Sequence, residues 1–189
     1  MESPFLNALS GFEDLPAEAI TEVLSCIRRM ELEKGAVLLR AGDTCRYLYF
    51  VEKGFARGYY HDAEGKESTS WFWSEGEILV SLESFLRQTP TRENVELLEP
   101  AVLYRLSYAN LQHLYDKYPD FNRLGRILME EAFLAAGMIN EILRKGSALE
   151  KYETLVARHP QLLQRSYLKY IASFLGITQE TLSRIRKPI

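Results

Sequence analysis

The clearest pattern of apolar and polar positions lies near the C-terminal end of the chain. Ile171, Phe174 and Leu175 recur at i, i+3 and i+4, which predicts a helix with one apolar face. Gly176 follows where a helix can end in the left-handed conformation, and Thr178 is a typical N-cap for a second helix. The spacing therefore predicts two short helices joined by a tight turn.

The second of these helices has two chemically different sides. Leu182 and Ile185 form its apolar side, and the outer side carries Gln179, Glu180, Ser183, Arg184 and Lys187. This outer side suits the major groove of DNA, because arginine forks onto guanine and glutamate accepts from the cytosine amino group. From spacing alone, an ordinary helical hairpin with a solvated polar face explains the pattern equally well.

From about Met30 to Ser107 the pattern changes to short strands separated by turns. The predicted strands are 37–39, 47–51, 56–60, 68–73 and 102–106. Glycine turns are predicted at Lys34-Gly35, Ala41-Gly42-Asp43, Lys53-Gly54, the hairpin 62–66 and 74–77. Such spacing favours an antiparallel sandwich or roll. With the helices on either side, the fold class is α+β.

Helical periodicity surrounds this strand region. Residues 3–29 predict a short helical piece with Pro16 in the first turn and an apolar face of Ile20, Val23, Leu24 and Ile27. A second helix, capped by Ser107, runs through Tyr115. A long helix begins near Asp120 and ends before Gly146, where Ser147 and Glu150 predict a capping box for the next helix.

The long helix carries a heptad seam. Its members are Phe121, Gly125, Leu128, Ala132, Ala135, Ile139 and Ile142. One interpretation is a parallel contact with a second copy of the chain; the alternative is packing on the strand region of the same chain.

Composition narrows the class of protein. In 189 residues with a net charge of −3, residues 158–189 hold six basic side chains and one acidic side chain, a net of +5, which leaves −8 elsewhere. A basic end on an acidic body suits a DNA-binding domain. Cys26 and Cys45 are too few for a zinc or iron–sulfur site, and the three histidines are scattered, so no metal, cofactor or catalytic residue is expected.

The C-terminal motif resembles the helix-turn-helix of the Crp–Fnr family of bacterial transcription factors. The run that carries the resemblance is Ile171-Ala172-x-x-Leu175-Gly176-Ile177-Thr178-x-Glu180-Thr181-Leu182-Ser183-Arg184. The resemblance implies base contacts by Gln179, Glu180 and Arg184. The remaining candidate DNA-binding residues, with backbone-contact or supporting roles, are Lys169, Thr181, Ser183 and Lys187.

The strand region resembles the cyclic-nucleotide-binding β-roll of the same family, with Gly35, Gly42, Asp43 and Gly54 on its turn positions. In relatives that bind the nucleotide, a Gly-Glu pair and an Arg-Ser pair hold the ribose and the phosphate. Here Arg92 matches the phosphate arginine, but Val80-Ser81 and Glu93 replace the other positions. We therefore expect no cyclic-AMP binding, a candidate effector pocket at Arg92, Ser81 and Glu93, and pairing of Arg92 with Glu93 or Glu96.

The resemblance implies a homodimeric regulator that binds a palindromic operator in double-stranded DNA, with RNA polymerase and an unknown small-molecule effector as further partners. The predicted domains are an N-terminal helix plus β-roll (1–118), a dimerisation helix (119–146) and a helix-turn-helix domain (147–189). A cytoplasmic location without a membrane partner is expected. The alternative is a small-molecule sensor or protein-interaction module with a weakened helix-turn-helix, because no wing follows Lys187.

Overall fold

The structure, a computed structural model, describes residues 16–186 and is α+β. The strands are β1 Arg28–Leu32, β2 Val37–Leu39, β3 Tyr47–Lys53, β4 Ala56–His61, β5 Glu67–Trp73, β6 Ile78–Leu79, β7 Asn94–Leu97 and β8 Ala101–Ser107. The helices are α1 Ala17–Cys26, α2 Leu82–Arg87, α3 Tyr108–Lys117, α4 Pro119–Arg144, α5 Ala148–Arg158, α6 Leu162–Arg165, α7 Leu168–Leu175 and α8 Gln179–Ile185.

The strands form two four-stranded sheets, in the orders β1-β8-β3-β6 and β2-β7-β4-β5. β8 pairs antiparallel with both β1 and β3, and β2 pairs antiparallel with β7. The predicted antiparallel roll is thus confirmed, and all five predicted strands are present. β1, β6, β7 and the short helix α2 were not predicted.

Gly54, between β3 and β4, occupies a position that only glycine fits. Its φ is +115°, and a Cβ there would lie 2.6 Å from the Cβ of Ala101. A side chain would therefore collide with the first residue of β8 in a backbone conformation that L-residues avoid.

Helices α1 and α3 pack on one side of the roll. Val23, Leu106, Leu114 and Phe121 belong to the buried cluster that joins them. The helix predicted over 3–29 ends at Cys26, because the chain enters β1 at Arg28; residues 3–15 lie outside the described part. Leu24, predicted on the apolar face of this helix, is 46% exposed instead.

The residues of the heptad seam of α4 differ in burial along the helix. Phe121 and Ile142, near its two ends, are buried against their own chain. A Cβ at Gly125 would lie 2.1 Å from the hydroxyl of Tyr115. A glycine is therefore needed here by packing within the chain, and not by close approach of a second helix. Leu128 and Ala132 are exposed.

The described chain packs as two units. The first contains residues 16–58 and 72–128, and the second contains residues 59–71 and 129–186. The boundary between the two units lies inside α4, because the first turns of α4 pack with the roll helices. The domain limits predicted at 118 and 146 stay predictions.

In the second unit, α5 supports the two C-terminal helices. The predicted capping box is present: the Ser147 hydroxyl accepts from the Glu150 backbone N–H, and the Glu150 carboxylate accepts from the Ser147 N–H. Leu155 and Leu162 are buried, which confirms the prediction that this segment supplies the core beneath α7 and α8.

Candidate nucleic-acid interface

The turn between α7 and α8 is held at both ends by the predicted residues. Gly176 has φ 67° and ψ 34°, and its N–H donates to the carbonyls of Ala172 and Ser173, which closes α7. The Thr178 hydroxyl accepts from the Thr181 N–H at 3.1 Å, which caps α8. These caps fix the point at which α8 begins, and therefore which of its side chains face outward.

The outer face of α8 is the face that the sequence predicted. Leu182 is fully buried, and the four exposed side chains are Gln179, Glu180, Ser183 and Arg184. At 3.6 residues per turn they lie within an arc of about 140°. Thr181 and Ile185 are half-buried.

The carboxyl of Glu180 is held in its ionised form. A hydrogen bond from its own backbone N–H, followed by one from the Thr178 hydroxyl, lowers the pKa of this side chain. An ionised carboxylate only accepts hydrogen bonds. Glu180 can therefore accept from an amino group but cannot donate to a base.

Lys169 lies exposed in the first turn of α7. Its Nζ lies 4.8 Å from the centre of the Tyr170 ring, and that ring stands edge-on to Tyr167 at 5.6 Å. The Lys169 ammonium thus makes a cation–π contact with Tyr170 while the side chain remains exposed to solvent. Lys187, the remaining candidate, lies outside the described residues.

Ser173 is a contact that the sequence analysis missed. Its hydroxyl donates to the Glu67 carbonyl at 3.2 Å and accepts from the Thr69 N–H at 2.9 Å. Both partners belong to β5, and all three residues lie in the second unit. α7 is thereby attached to a strand as well as to the helices around it.

Of the three candidate effector residues, Ser81 and Glu93 both contact Thr91, whereas Arg92 is exposed. Ser81 lines a cavity of about 530 Å³ in the roll; its hydroxyl lies 3.0 Å from that of Thr91, which also accepts from the Glu93 N–H at 3.0 Å. Arg92 is exposed and is not among the residues that line the cavity.

Glu96, one of the two carboxylates expected to pair with Arg92, pairs with Arg57, and the pairing of Arg92 with Glu93 stays a prediction. The Glu96 carboxylate lies 2.6 Å from Nε of Arg57, a side chain that is only 2% exposed. A buried guanidinium requires a nearby carboxylate, and this one belongs to the adjacent strand.

Neither a membrane span nor a metal cluster is found in residues 16–186. No helix in that range is long and apolar enough to cross a bilayer. In the same range, no three side chains of histidine, cysteine, aspartate or glutamate are placed to hold a metal ion together.

Comparisons with known proteins agree with this architecture. Residues 29–118 match the cyclic nucleotide-binding domain family. The fumarate and nitrate reduction regulatory protein of Yersinia pestis is 25% identical over 170 residues, which are 84% of this chain and 67% of the relative. The protein of that name from Escherichia coli K12 is 23% identical over 169 residues, with the same coverage.

Solved structures show the same fold. A Crp/Fnr-family protein from Eubacterium rectale superposes with a TM-score of 0.73 at 16% identity, covering 92% of this chain and 83% of that one. FixK2 from Bradyrhizobium japonicum gives a TM-score of 0.72 at 16% identity, covering 84% and 82%.

The fold and the matched region define a protein built on a cyclic nucleotide-binding domain. The Eubacterium rectale structure covers 92% of this chain, so its match extends beyond the roll. The resemblance to the Crp–Fnr family that the sequence predicted is therefore confirmed.

Proposed function

We propose that the protein is a sequence-specific DNA-binding regulator of transcription that acts as a homodimer in the cytoplasm. The observation that carries the proposal is the exposed polar face of α8, a helix capped at Thr178 and anchored by Leu182. The names of the relatives support it, since the Yersinia pestis and Escherichia coli proteins are regulatory proteins. Duplex DNA and RNA polymerase are the proposed macromolecular partners.

Charge supports an approach to DNA by the C-terminal end. The net of +5 over residues 158–189 attracts phosphates, whereas the −8 on the remainder repels them. The attraction is independent of sequence and falls steeply with salt, because it comes from release of counterions. The long-range field therefore orients the chain with α8 toward the duplex.

The outward face of α8 supplies the proposed readout of sequence. Arg184 forks onto the O6 and N7 atoms of guanine, Glu180 accepts from the amino group of cytosine, and Gln179 reads adenine or a phosphate. Lys169, Thr181, Ser183 and Lys187 bind the backbone or support the reading residues, and these contacts set position but not sequence.

An exposed apolar stripe on α4 supports the homodimer. Met129, Ala132, Phe133 and Ala136 recur at helical spacing, all four are exposed, and Phe133 is 79% exposed. A contiguous apolar stripe of this kind marks an interaction surface. A second copy packed on it would present two recognition helices to the two halves of a palindromic operator.

The β-roll is proposed as the sensor, with an effector other than cyclic AMP. The mutual hydrogen bond of Ser81 and Thr91, the exposure of Arg92 and the acidic Glu93 support this, because a cyclic phosphate needs a converging arginine and small hydrogen-bond donors.

The test is a DNA-binding titration with Arg184→Ala. A preferred operator is first selected from a randomised duplex library and then titrated at several salt concentrations. Losing a bidentate guanine contact costs about 1–3 kcal/mol and removes the preference at one base pair. We expect Arg184→Ala to lose affinity for the operator and the preference at that base pair. Lys169→Ala should weaken binding to all duplexes alike and reduce its salt dependence.

Arg87→Ala is the matched control, since it removes the same charge from an exposed position on α2. It should leave affinity and preference unchanged. If Arg184→Ala bound the operator with unaltered affinity and preference, the placement of α8 in the groove would be wrong.

A further inference from the structure

The turn between β4 and β5 carries negative charge in the unit that also contains α8. Residues 59–71, called here the acidic hairpin, pack in the second unit together with α7 and α8. Three acidic side chains and one basic side chain leave this segment with a net charge of −2: Asp62, Glu64 and Glu67 against Lys66. The acidic hairpin therefore repels the phosphates that the basic C-terminal end attracts.

The acidic hairpin has a fixed shape at its turn. The Asp62 carboxylate accepts from the N–H groups of Glu64 and Lys66 at 3.0 and 2.9 Å. The Asp62 N–H donates to the Lys66 carbonyl at 3.0 Å, and Gly65 adopts a φ of +78° that few other residues tolerate. Glu64 is exposed on this turn. Its charge therefore has a defined place relative to β5.

Ser173 attaches the acidic hairpin to the face of α7 that carries Lys169. The two residues are four positions apart, so they lie on one side of the helix, about 6 Å apart along its axis. The Ser173 hydroxyl donates to the Glu67 carbonyl and accepts from the N–H of the buried Thr69, both at the start of β5. β5 thus lies one helical turn from the lysine that is proposed to contact the DNA backbone.

The charge of Glu64 can act over the distance that remains. Glu64 precedes Glu67 by three residues, which span at most about 10 Å of extended chain. Charges act over roughly 30 Å at an ionic strength of about 0.01 M, but over only about 3 Å at about 1 M. A duplex that reaches Lys169 at low salt therefore lies within the field of the acidic hairpin.

β5 also connects this attachment to the roll. Phe72 and Trp73, the last residues of β5, belong to the first unit, where the Phe72 ring stacks on the Phe55 ring at 5.6 Å. A shift of β5 within the roll would therefore pull on the two hydrogen bonds to Ser173. Hydrogen bonds between neutral groups contribute little net free energy, so this attachment can open without unfolding α7.

We propose that the acidic hairpin is an autoinhibitory element. While Ser173 holds it on α7, its carboxylates weaken the approach of DNA, and its release increases the affinity for DNA. The proposal rests on the proposed function, in which α7 and α8 meet the duplex, and it concerns the regulation of that surface. A movement of β5 in the roll is the event that releases the hairpin.

Titration of the full chain with a fluorescent random-sequence duplex and with the selected operator tests the role of the charge. At about 0.01 M salt, Glu64→Gln should raise the affinity for both duplexes by roughly 2-fold, and Glu64→Lys, which changes the charge by twice as much, by roughly 4-fold. Both gains should shrink as salt is added. Glu33→Gln, which removes an exposed carboxylate from the first unit, is the matched control and should have a smaller effect. Glu64 variants that bound no better than this control would overturn the proposal.

Ser173→Ala tests the attachment. The Thr69 N–H loses its partner in this variant, so hydrogen exchange of that amide, followed by NMR, should become faster, and the affinity for DNA should rise. In this background Glu64→Gln should add less than it adds in the parent chain. Faster exchange without a gain in affinity, or unaltered exchange, would contradict autoinhibition through Ser173. If Ser173→Ala does not fold, the graded response of the two Glu64 variants still decides the proposal.

The same titrations separate this proposal from the proposed function. Equal binding by all variants, with the operator preferred over random sequence, would contradict only the role of the acidic hairpin. A graded gain without preference for any operator would contradict sequence-specific regulation and leave autoinhibition standing. Failure of every variant to bind a duplex would contradict both proposals.

Discussion

Three arginines of this chain illustrate how burial sets the role of one residue type. Arg57 is almost fully buried and lies 2.6 Å from the Glu96 carboxylate, so its charge is used within the fold. Arg105 is half-buried over an aromatic ring at the wall of a cavity. Arg184 is exposed on a capped helix, where its guanidinium is accessible to a partner molecule.

The residues around Ser81 lead to a prediction about cyclic nucleotides. Two charge-assisted hydrogen bonds that relatives make are replaced, and each such loss costs about 1.5–3 kcal/mol, so affinity should fall by roughly two to four decades. We expect sub-millimolar cyclic AMP and cyclic GMP neither to raise the melting temperature nor to change affinity for DNA.

A family member that binds cyclic AMP, measured in parallel, establishes that the assay detects the nucleotide. A saturable micromolar heat with either nucleotide would show that the matching of Val80-Ser81 and Glu93 to the nucleotide-binding positions is mistaken.

At the scale of elements, the carboxylate of Glu22 in α1 links this helix to α3, in addition to the buried cluster that joins them. Glu22 accepts from Lys117 at 2.5 Å and from the Tyr118 hydroxyl at 2.6 Å, and lies 2.7 Å from His113. These hydrogen bonds, that from Lys117 first, lower the pKa of Glu22 from 4.5 to about 2. The folded chain therefore binds this proton less readily than the unfolded chain does.

The contribution of Glu22 to the free energy of unfolding should depend on pH. It is fully present above pH 4.5 and is lost as the pH falls through about 2. Urea unfolding followed by circular dichroism should show Glu22→Gln to be less stable than the parent chain near neutral pH. The two curves should converge at the acid end, where Glu22 is itself protonated.

Glu18→Gln, which removes an exposed carboxylate from the same helix, is the control and should destabilise the chain less than Glu22→Gln does. A difference between Glu22→Gln and the parent that stayed constant with pH would contradict the assignment of the low pKa to this residue.

Elements fixed by local chemistry could be predicted from the sequence. The caps at Thr178 and Ser147 and the left-handed Gly176 depend on residues within three or four positions, and all three are present. The polar face of α8 followed from helical periodicity in the same way. β7 could not be predicted, because a strand of four residues is defined by its pairing with distant β2.

Tertiary packing decided the rest of the candidate surfaces. Gly125 had the spacing of a dimer seam but lies under Tyr115. Ser173 could not be identified, because its partner Thr69 lies 104 residues earlier in the chain. A hydroxyl within an apolar helix was the only local signal of that contact.

At the scale of the whole molecule, the proposed dimer interface is the exposed apolar stripe of Met129, Ala132, Phe133 and Ala136 on α4. A glutamate at Ala132 would place like charges opposite each other in a parallel pair of helices and desolvate both. Ala132→Glu should therefore split the dimer and weaken operator binding. Sedimentation velocity at several protein concentrations measures the first effect.

Leu134→Glu is the matched control, because it adds the same charge at an exposed apolar position about 200° around the helix from Ala132. It should sediment as the parent chain does. If Ala132→Glu formed an unaltered dimer, the interface would have to lie elsewhere on the chain. If the parent chain were monomeric, the proposed homodimer would be wrong.

The attachment of Ser173 to β5 has a consequence for self-association. β5 stands at one end of its sheet, and strands in that position invite pairing with a strand of another molecule. By bonding to Glu67 and Thr69, α7 covers this stretch of the edge. Loss of that cover would favour domain swapping and aggregation, so the helix that supports the recognition helix also protects the chain from polymerising through its own sheet.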